Sequence, residues 1–383
     1  MSGWTRLGED HEELRAFVRG LAEQKIAPRA AAIDDADTFP WDMVTVLKDA
    51  GLYGFVADEE YGGFGFSTLK LCLIVEEIAR VSASVAMLYE QVGGALPLHL
   101  AGSHEQKDTF LRRLASGAAL SAYAMTEPGA GSDVQGVATR AVRDGDEYVV
   151  SGRKHFVTNG GVSTWYAVLC RTSREAPASK AFSVILVESD RPGFSVGRVE
   201  RKMGLRGSQT GELIFDDVRV PVGNLIGEDG TGFGLTMKVL DHARTVAGAM
   251  ALGIAQGAIG CAVEYSKERC QFGAPIARLE ALQLMAADAL IGIEESRSLV
   301  YAAAEALDRG DPAGTPLSAA AKYTASDTAM RVTTDAVQMM GGYGYMKDYP
   351  VERGMRDAKI YQILGGTNQI QRLVVARQVA VAR

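Results

Sequence analysis

The chain has 383 residues, 47% hydrophobic and 23% charged, which excludes intrinsic disorder and leaves room for two or three domains. Its 43 glycines follow no three-residue period, so collagen-like repeats are excluded. The net charge is −7 with both signs well mixed, and no basic patch or tail speaks for nucleic acid. The cysteines Cys72, Cys170, Cys261 and Cys270 form no CxxC pair and no Cys/His cluster. That spacing predicts reduced thiols in a cytoplasmic protein, without disulfides and without a metal site. The first residues show no signal-peptide core, and no membrane association is expected.

In chain order, helical periodicity comes first. Leu14, Phe17, Val18 and Leu21 recur at i, i+3, i+4 and i+7, and Pro28 is expected to follow that helix. Phe39-Pro40-Trp41 precedes a further helix. The run Tyr61-Gly62-Gly63-Phe64-Gly65 breaks the chain, and Leu69 to Ala79 resumes helix. The period then falls to two. Tyr148 to Gly152, Trp165 to Arg171, Phe182 to Glu188, Phe194 to Val199 and Glu212 to Val218 read as strands, with a hairpin turn at Asp144-Gly145-Asp146. After Gly230 the chain is helical again. Thr245 to Val263 is apolar but carries Gln256 and many small residues, and it reads as a buried helix rather than a membrane span. Gly253 and Gly257, with Gly260 nearby, mark a surface where another backbone packs closely. Leu282 to Leu307 keeps 3/4 spacing and predicts one long amphipathic helix ended by Gly310 and Pro312. Helices, then strands, then helices argue against a doubly wound sheet. The expected plan is α+β, mostly α: a helical region over 1–120, an antiparallel β-domain over 121–228 and a four-helix bundle over 229–383.

Three segments carry chemistry. Met125 to Asp133 combines Pro128, Gly129 and Gly131 with the hydroxyls of Thr126 and Ser132. Such a loop lets a ligand approach backbone N–H groups, as a flavin edge or a pyrophosphate would; a plain interdomain loop is the bland alternative. It is neither GxGxxG nor a P-loop. Phe156 to Gly161 ends a strand with an aromatic ring, a hydroxyl and a turn. Ile360 to Arg372 interrupts helical sequence with Gly365 and Gly366.

Together these segments resemble the acyl-CoA dehydrogenase family over essentially the whole chain. The resemblance rests on Tyr123-Ala-Met-Thr-Glu-Pro-Gly-Ala-Gly-Ser-Asp133, Lys154-His-Phe-Val-Thr-Asn-Gly-Gly161 and Arg269-Cys-Gln-Phe-Gly273. It rests also on Gln338-Met-Met-Gly-Gly342, Tyr349-Pro-Val-Glu-Arg353 and Arg356-Asp-Ala-Lys359, and short- and branched-chain members look closest. The resemblance implies the family's three-part fold, bound FAD and a homotetramer built as a dimer of dimers. It implies that Tyr123, Met125, Thr126, Gly131 and Ser132 line the flavin and its phosphates. Phe156 would stand at the flavin face, in place of the family's usual Trp, with Thr158 near its edge. Arg269, Gln271 and Phe272 of a neighbouring subunit would hold the adenosine diphosphate half, completed by Gln338, Gly342, Thr367 and Gln369. Asp241 and Arg244 would meet the pantetheine arm of a thioester, and Leu364 and Gly365 its acyl end.

One position departs from the family. Its nearest members carry the α-proton base as a Glu directly before Gly-Thr, and here that residue is Gly365. Other members place the Glu just before the substrate Arg, where this chain has Ala243. A positioned base contributes roughly 10²–10⁴-fold, so ordinary dehydrogenation should be crippled. The Gly365 N–H, which in the family polarises the thioester carbonyl, survives. An enolate pocket without a base suits decarboxylation of a β-keto acid or malonyl-type group, joined to flavin oxidation or oxygenation. Natural-product relatives of this kind give epoxyketones. Three further readings stand beside it. A substitute base among Glu90, Glu127, Asp241, His242 and His155 would restore conventional dehydrogenation. Monooxygenation without decarboxylation is the second, and a non-catalytic flavoprotein scaffold the third. The acyl group would ride on CoA, on a carrier protein or as a free acid. Electrons would leave to an electron-transfer flavoprotein or to O₂.

Overall fold

A computed structural model describes residues 7–381, apart from the side chains at 90, 91 and 379–381. The first helical stretch contains α1 (Glu9–Leu21), α2 (Ala27–Ala36), α3 (Trp41–Asp49) and α4 (Thr68–Ala79). It continues through α5 (Ala83–Ala86), α6 (Gln91–Ala101), α7 (His104–Gln106) and α8 (Arg112–Ala115). Pro28 follows the first helix as expected, but the helical path does not stop there. A π-helical turn over Ala22–Ile26 carries the chain from α1 into α2, and Pro28 sits in the first turn of α2, where its missing N–H costs nothing. α4 starts on a Ser67 cap and is buried along its length except at Lys70. The Asp308 carboxylate, from the last helical region, also receives the N–H groups of Thr68 and Leu69 at 2.7 and 3.2 Å.

The middle region is one sheet: β1 (Ser121–Ala124), β2 (Arg140–Asp144), β3 (Glu147–Thr158), β4 (Trp165–Arg171), β5 (Phe182–Glu188), β6 (Phe194–Val199), β7 (Thr210–Pro221) and β8 (Leu225–Ile226). The order is β6-β7-β3-β2-β4-β5-β8, with β1 also paired to β4. Gly145, at φ 64°, and Asp146 make the two-residue turn of the β2–β3 hairpin, with Asp144 opposite Glu147. The sheet is mixed rather than wholly antiparallel. β1 runs parallel to β4, with Ser121 opposite Trp165, and β2 meets β4 in the same sense at Arg140 and Arg171. Four-residue β1 is too short to announce itself by alternation.

The last region is a bundle of α9 (Gly232–Glu268), α10 (Glu280–Asp308), α11 (Gly314–Met340), α12 (Val351–Ala358) and α13 (Asn368–Val381). A two-strand hairpin, β9 (Cys270–Gln271) and β10 (Ala274–Pro275), follows α9. α9 has the length and apolarity of a membrane span, yet 72% of its most apolar window is buried inside the fold. A Cβ at Gly253 would stand 2.1 Å from the Glu76 carbonyl oxygen, and one at Gly257 2.0 Å from that of Arg80, so α4 lies against this face of α9. Gly260 is not part of that approach, because a Cβ there meets nothing within 4 Å. α10 stops before Gly310, at φ 66°, as expected. All four cysteines are free, and Cys72 and Cys170 are buried.

Candidate functional site

The loop after β1 is held from beneath. Glu127 and Ala130 exchange backbone hydrogen bonds at 3.0 and 3.1 Å, closing a turn around Pro128 and Gly129. The buried Glu127 carboxylate accepts from the N–H groups of Ala138 and Thr139 and from Lys154 Nζ at 2.8 Å. Lys154 also donates to the Met125 carbonyl at 3.0 Å. Glu127 is therefore a structural anion and not a substitute base. Gly131 and Ser132 are exposed at the tip of the loop. The Tyr123 hydroxyl is hydrogen-bonded to Thr236 of α9 at 2.6 Å. Residue 123 lies on β1, before the loop begins.

The end of β3 runs alongside that loop. The His155 N–H donates to the Thr126 carbonyl at 2.8 Å, which brings Met125 and Thr126 next to Phe156 and Thr158. A register shift between Lys154 and Val157 breaks the β3–β7 ladder. Within it Phe156 takes φ 55° and is 61% exposed, its ring edge-on to that of His155 at 4.1 Å. A left-handed phenylalanine beside a loop is a costly choice that flat strand packing does not require. Next to Thr158, Asn159 is fully buried at φ 59°, and neither its Oδ1 nor its Nδ2 has a partner. Sequence reading passed over Asn159. The signal was present, since a polar amide ending a β-strand favours a left-handed turn.

The third component is the turn between α12 and α13. Gly365 at φ 63° and Gly366 at φ 91° both lie in the left-handed region. A Cβ at Gly365 would meet only Arg244 Cβ, 4.0 Å away, so the vacated position opens beside Arg244. Arg244 is buried; its Nε donates to the Leu240 carbonyl and its Nη1 lies 3.4 Å from Asp241. Nη1 makes no hydrogen bond, and burial pulls the guanidinium below its usual range. Asp241 also accepts from Thr315 at 2.5 Å. Leu364 packs on the core, Thr367 accepts from the Ile370 N–H, and Gln369 is exposed.

The substitute bases weighed from sequence are mostly committed elsewhere. Asp241 is shared between Arg244 and Thr315. His242 Nδ1 pairs with the Thr68 hydroxyl at 2.8 Å, and burial pulls the imidazole down. His155 Nε2 lies 3.3 Å from Glu200. The side chain of Glu90 lies outside the described residues.

The adenosine-binding residues gather elsewhere. Arg269, Gln271, Gln338 and Gly342 line an open cleft of ≈ 540 Å³ with Tyr265, Tyr343 and Met346. Arg269 stacks over the Tyr343 ring at 5.8 Å. Phe272, at φ 54°, is 93% exposed beside it. Thr367 and Gln369 do not line this cleft; Thr367 belongs to the Gly365 turn and Gln369 to the first turn of α13. Within one chain, then, the expected cofactor residues fall into separate groups.

Lys322 was missed. It is fully buried on α11, among Ala319, Ala321 and Ala325, and its Nζ donates to the Gly366 carbonyl at 2.8 Å. A lone lysine in an alanine-rich helical stripe was the available signal.

Residues 8–118, 122–218 and 230–380 match the family models for the N-terminal, middle and C-terminal domains of acyl-CoA dehydrogenase. The chain is 48% identical over 373 residues to a cyclohexane-1-carbonyl-CoA dehydrogenase of Geobacter metallireducens, covering 96% of this chain and 97% of that protein. It is 47% identical over 387 residues to a probable acyl-CoA dehydrogenase, fadE25, of Mycobacterium leprae, covering 98% and 99%. Among solved structures it is similar to butyryl-CoA dehydrogenase from Megasphaera elsdenii, with TM-score 0.95, 40% identity and full coverage of both chains. PigA with FAD and proline superposes at TM-score 0.93 with 25% identity, again over 100% of each chain.

Proposed function

We propose, on the premise that the chain belongs to the acyl-CoA dehydrogenase family of FAD-dependent oxidoreductases, that its acyl substrate forms an enolate by losing CO₂ rather than an α-proton. The observation that carries this reading is Gly365, a left-handed glycine with open space where the resemblance calls for a carboxylate.

The residues present fit FAD. Asn159 offers a buried amide without partners beside Thr158, and the loop tip at Gly129 and Gly131 has room around its backbone. Met125, Thr126, Phe156 and Thr158 would line the ring system, with Gly131 and Ser132 near the phosphates. Arg269, Gln271 and Phe272 of a second copy would reach the adenosine half against Gln338 and Gly342, in a homotetramer. When bound, FAD would accept a hydride from the β-carbon of a substituted malonyl thioester, leaving an α,β-unsaturated product; malonyl-CoA itself has no such hydrogen, and its enolate takes up a proton to give acetyl-CoA. The chain itself supplies the oxyanion donor. The Gly365 N–H would polarise the thioester carbonyl as the bond from the α-carbon to the carboxylate carbon breaks. The electron pair of that bond passes to the α-carbon and carbonyl oxygen, CO₂ departs, and no proton needs to be removed.

The test is anaerobic mixing of holoenzyme with malonyl-CoA and with butyryl- or cyclohexane-1-carbonyl-CoA, reading CO₂ release and flavin bleaching. CO₂ from the malonyl thioester with little bleaching by the saturated ones is the expected result. Bleaching by the saturated thioesters at ordinary enzymatic rates, with no CO₂ from malonyl-CoA, overturns it. Oxygen uptake then distinguishes O₂ from an electron-transfer flavoprotein as acceptor.

A second reading, α,β-dehydrogenation of an acyl-CoA with a relocated base, is favoured by the relatives, which are named as CoA-thioester dehydrogenases. Glu90 is its remaining carboxylate among the substitutes weighed. Glu90→Gln should abolish bleaching by saturated thioesters under this reading and leave CO₂ release intact under the first.

A further inference from the structure

The Gly365–Gly366 turn is clamped by side chains, and the clamp carries a buried charge. Two adjacent glycines, both left-handed, have more backbone freedom than any other pair. Here their carbonyls are fixed. Gln371 Nε2 donates to the Gly365 and Gly366 oxygens at 3.0 and 2.9 Å. Lys322 Nζ donates to the Gly366 oxygen at 2.8 Å and to Asn368 Oδ1 at 2.9 Å. Asn368 is held in turn by Ser326 and Asp327. Among the described residues, nothing accepts from the Gly365 N–H, so the donor of this turn is left over while its acceptors are saturated.

A neutral side chain would suffice for a purely mechanical clamp, as Gln371 shows. Burying an ammonium is costly unless its charge is used. The oxygens that Lys322 touches belong to an amide and a peptide, not to a carboxylate. The charges that bear on it are Arg244 and Asp327; Asp241 is paired with Arg244. Desolvation, with Arg244 adding to it, pulls Lys322 down to about 8. In a dry site such a charge acts strongly over short distances.

We propose that Lys322 is a positioning residue for the thioester. Its ammonium holds the Gly365–Gly366 turn so that the Gly365 N–H faces the thioester oxygen, and its charge stabilises the negative charge that develops there. This rests on the reading that a thioester carbonyl sits at Gly365. It holds whether the enolate arises by decarboxylation or by proton loss.

The experiment uses FAD-loaded protein and acetoacetyl-CoA, an enolisable thioester whose proton exchanges with buffer and needs no protein base. Flavin spectral perturbation reports binding, and enolate absorbance against pH reports the apparent pKa of the bound ligand. Lys322→Met is expected to raise that pKa by at least about one unit, a tenfold fall in the enolate-to-keto ratio at fixed pH. Lys322→Arg should keep it low. The same ligand pKa in Lys322→Met and the parent overturns the assignment. If Lys322→Met fails to fold, Lys322→Gln, which keeps a donor without the charge, is read in its place, and a ligand pKa equal to the parent's there overturns the assignment. A parent that binds no acetoacetyl-CoA overturns the thioester reading and this assignment with it.

Discussion

Lys154, without any exposed surface, places its ammonium 2.8 Å from Glu127 and 3.0 Å from the Met125 carbonyl, so one buried cation ties the end of β3 to the loop after β1. Burial pushes the Glu127 carboxyl up, but Lys154 and the neighbouring N–H donors more than offset this and hold it below its usual range. Removing one partner of a buried pair leaves the other charged in a dry place, at about 3–5 kcal/mol. Lys154→Met should therefore lower stability by about that amount and weaken FAD retention, and Lys154→Met/Glu127→Gln should recover part of both. Thermal unfolding and released-flavin fluorescence are the measurements. A single variant as stable as the parent would show that the pair does not hold the loop.

Gly365→Glu should gain bleaching by butyryl-CoA, by tenfold or more, and impair the decarboxylative reaction. The side chain has room, since Arg244 Cβ at 4.0 Å is the only atom its Cβ would meet. Against it stands φ 63°, which costs a residue with Cβ about 1–2 kcal/mol. Burial would raise the new carboxyl toward a useful base value. Flavin reduction is measured for saturated and malonyl thioesters in both proteins. A mutant that folds, keeps FAD and processes malonyl-CoA with undiminished affinity would remove the main support for decarboxylation.

Gly253 and Gly260 stand on one helix and should respond oppositely to alanine. At Gly253 the Cβ would be driven to 2.1 Å from the Glu76 carbonyl, so Gly253→Ala must displace α4 from α9 and should cost about 1–3 kcal/mol or more. At Gly260 the Cβ meets nothing, and Gly260→Ala should stabilise by about 0.5–1 kcal/mol through helix propensity. Denaturant titration of both decides the matter; equal effects would contradict the packing described.

Asp357 should make the protein less stable as pH rises from about 4 to 7. It is fully buried, accepts from the Leu205 N–H, and desolvation pushes it up to about 7. A carboxyl with a raised native pKa binds more protons folded than unfolded across that window, so unfolding free energy falls with pH there. Asp357→Asn keeps an acceptor for Leu205 and removes the titration. Its Tm should exceed that of the parent by a few degrees at pH 7, with the gap closing toward pH 4. A constant gap would place the effect elsewhere.

Arg269→Ala should weaken FAD retention and shift the assembly toward smaller species, if the residues from Arg269 to Phe272 reach a neighbouring copy. Analytical ultracentrifugation with flavin content at matched protein concentration tests both. Unchanged retention in an unchanged assembly would remove Arg269 from the cofactor site.

Much of the fold was legible. β4, β5 and β6 begin and end where alternation placed them, because a strand buried on a face shows its period locally. The long helix closing before Gly310 was readable for the same reason. The failures share another cause. That the helical path runs on past Pro28 is not legible, because a π turn upstream leaves no mark in an apolar pattern. β1 was missed because its parallel partner lies more than forty residues away.

The sequence by itself determined the order of elements, the family resemblance and the vacancy at Gly365, because identity and local period are properties of neighbouring residues. Tertiary structure alone decided which side chains surround that vacancy. Lys322 reaches Gly366 across 44 residues, Arg244 borders Gly365 from another helix, and Glu127 is removed from the list of bases by Lys154. Each depends on which helix faces or strand ends meet, and a buried charge takes its meaning from the partners that burial assigns to it.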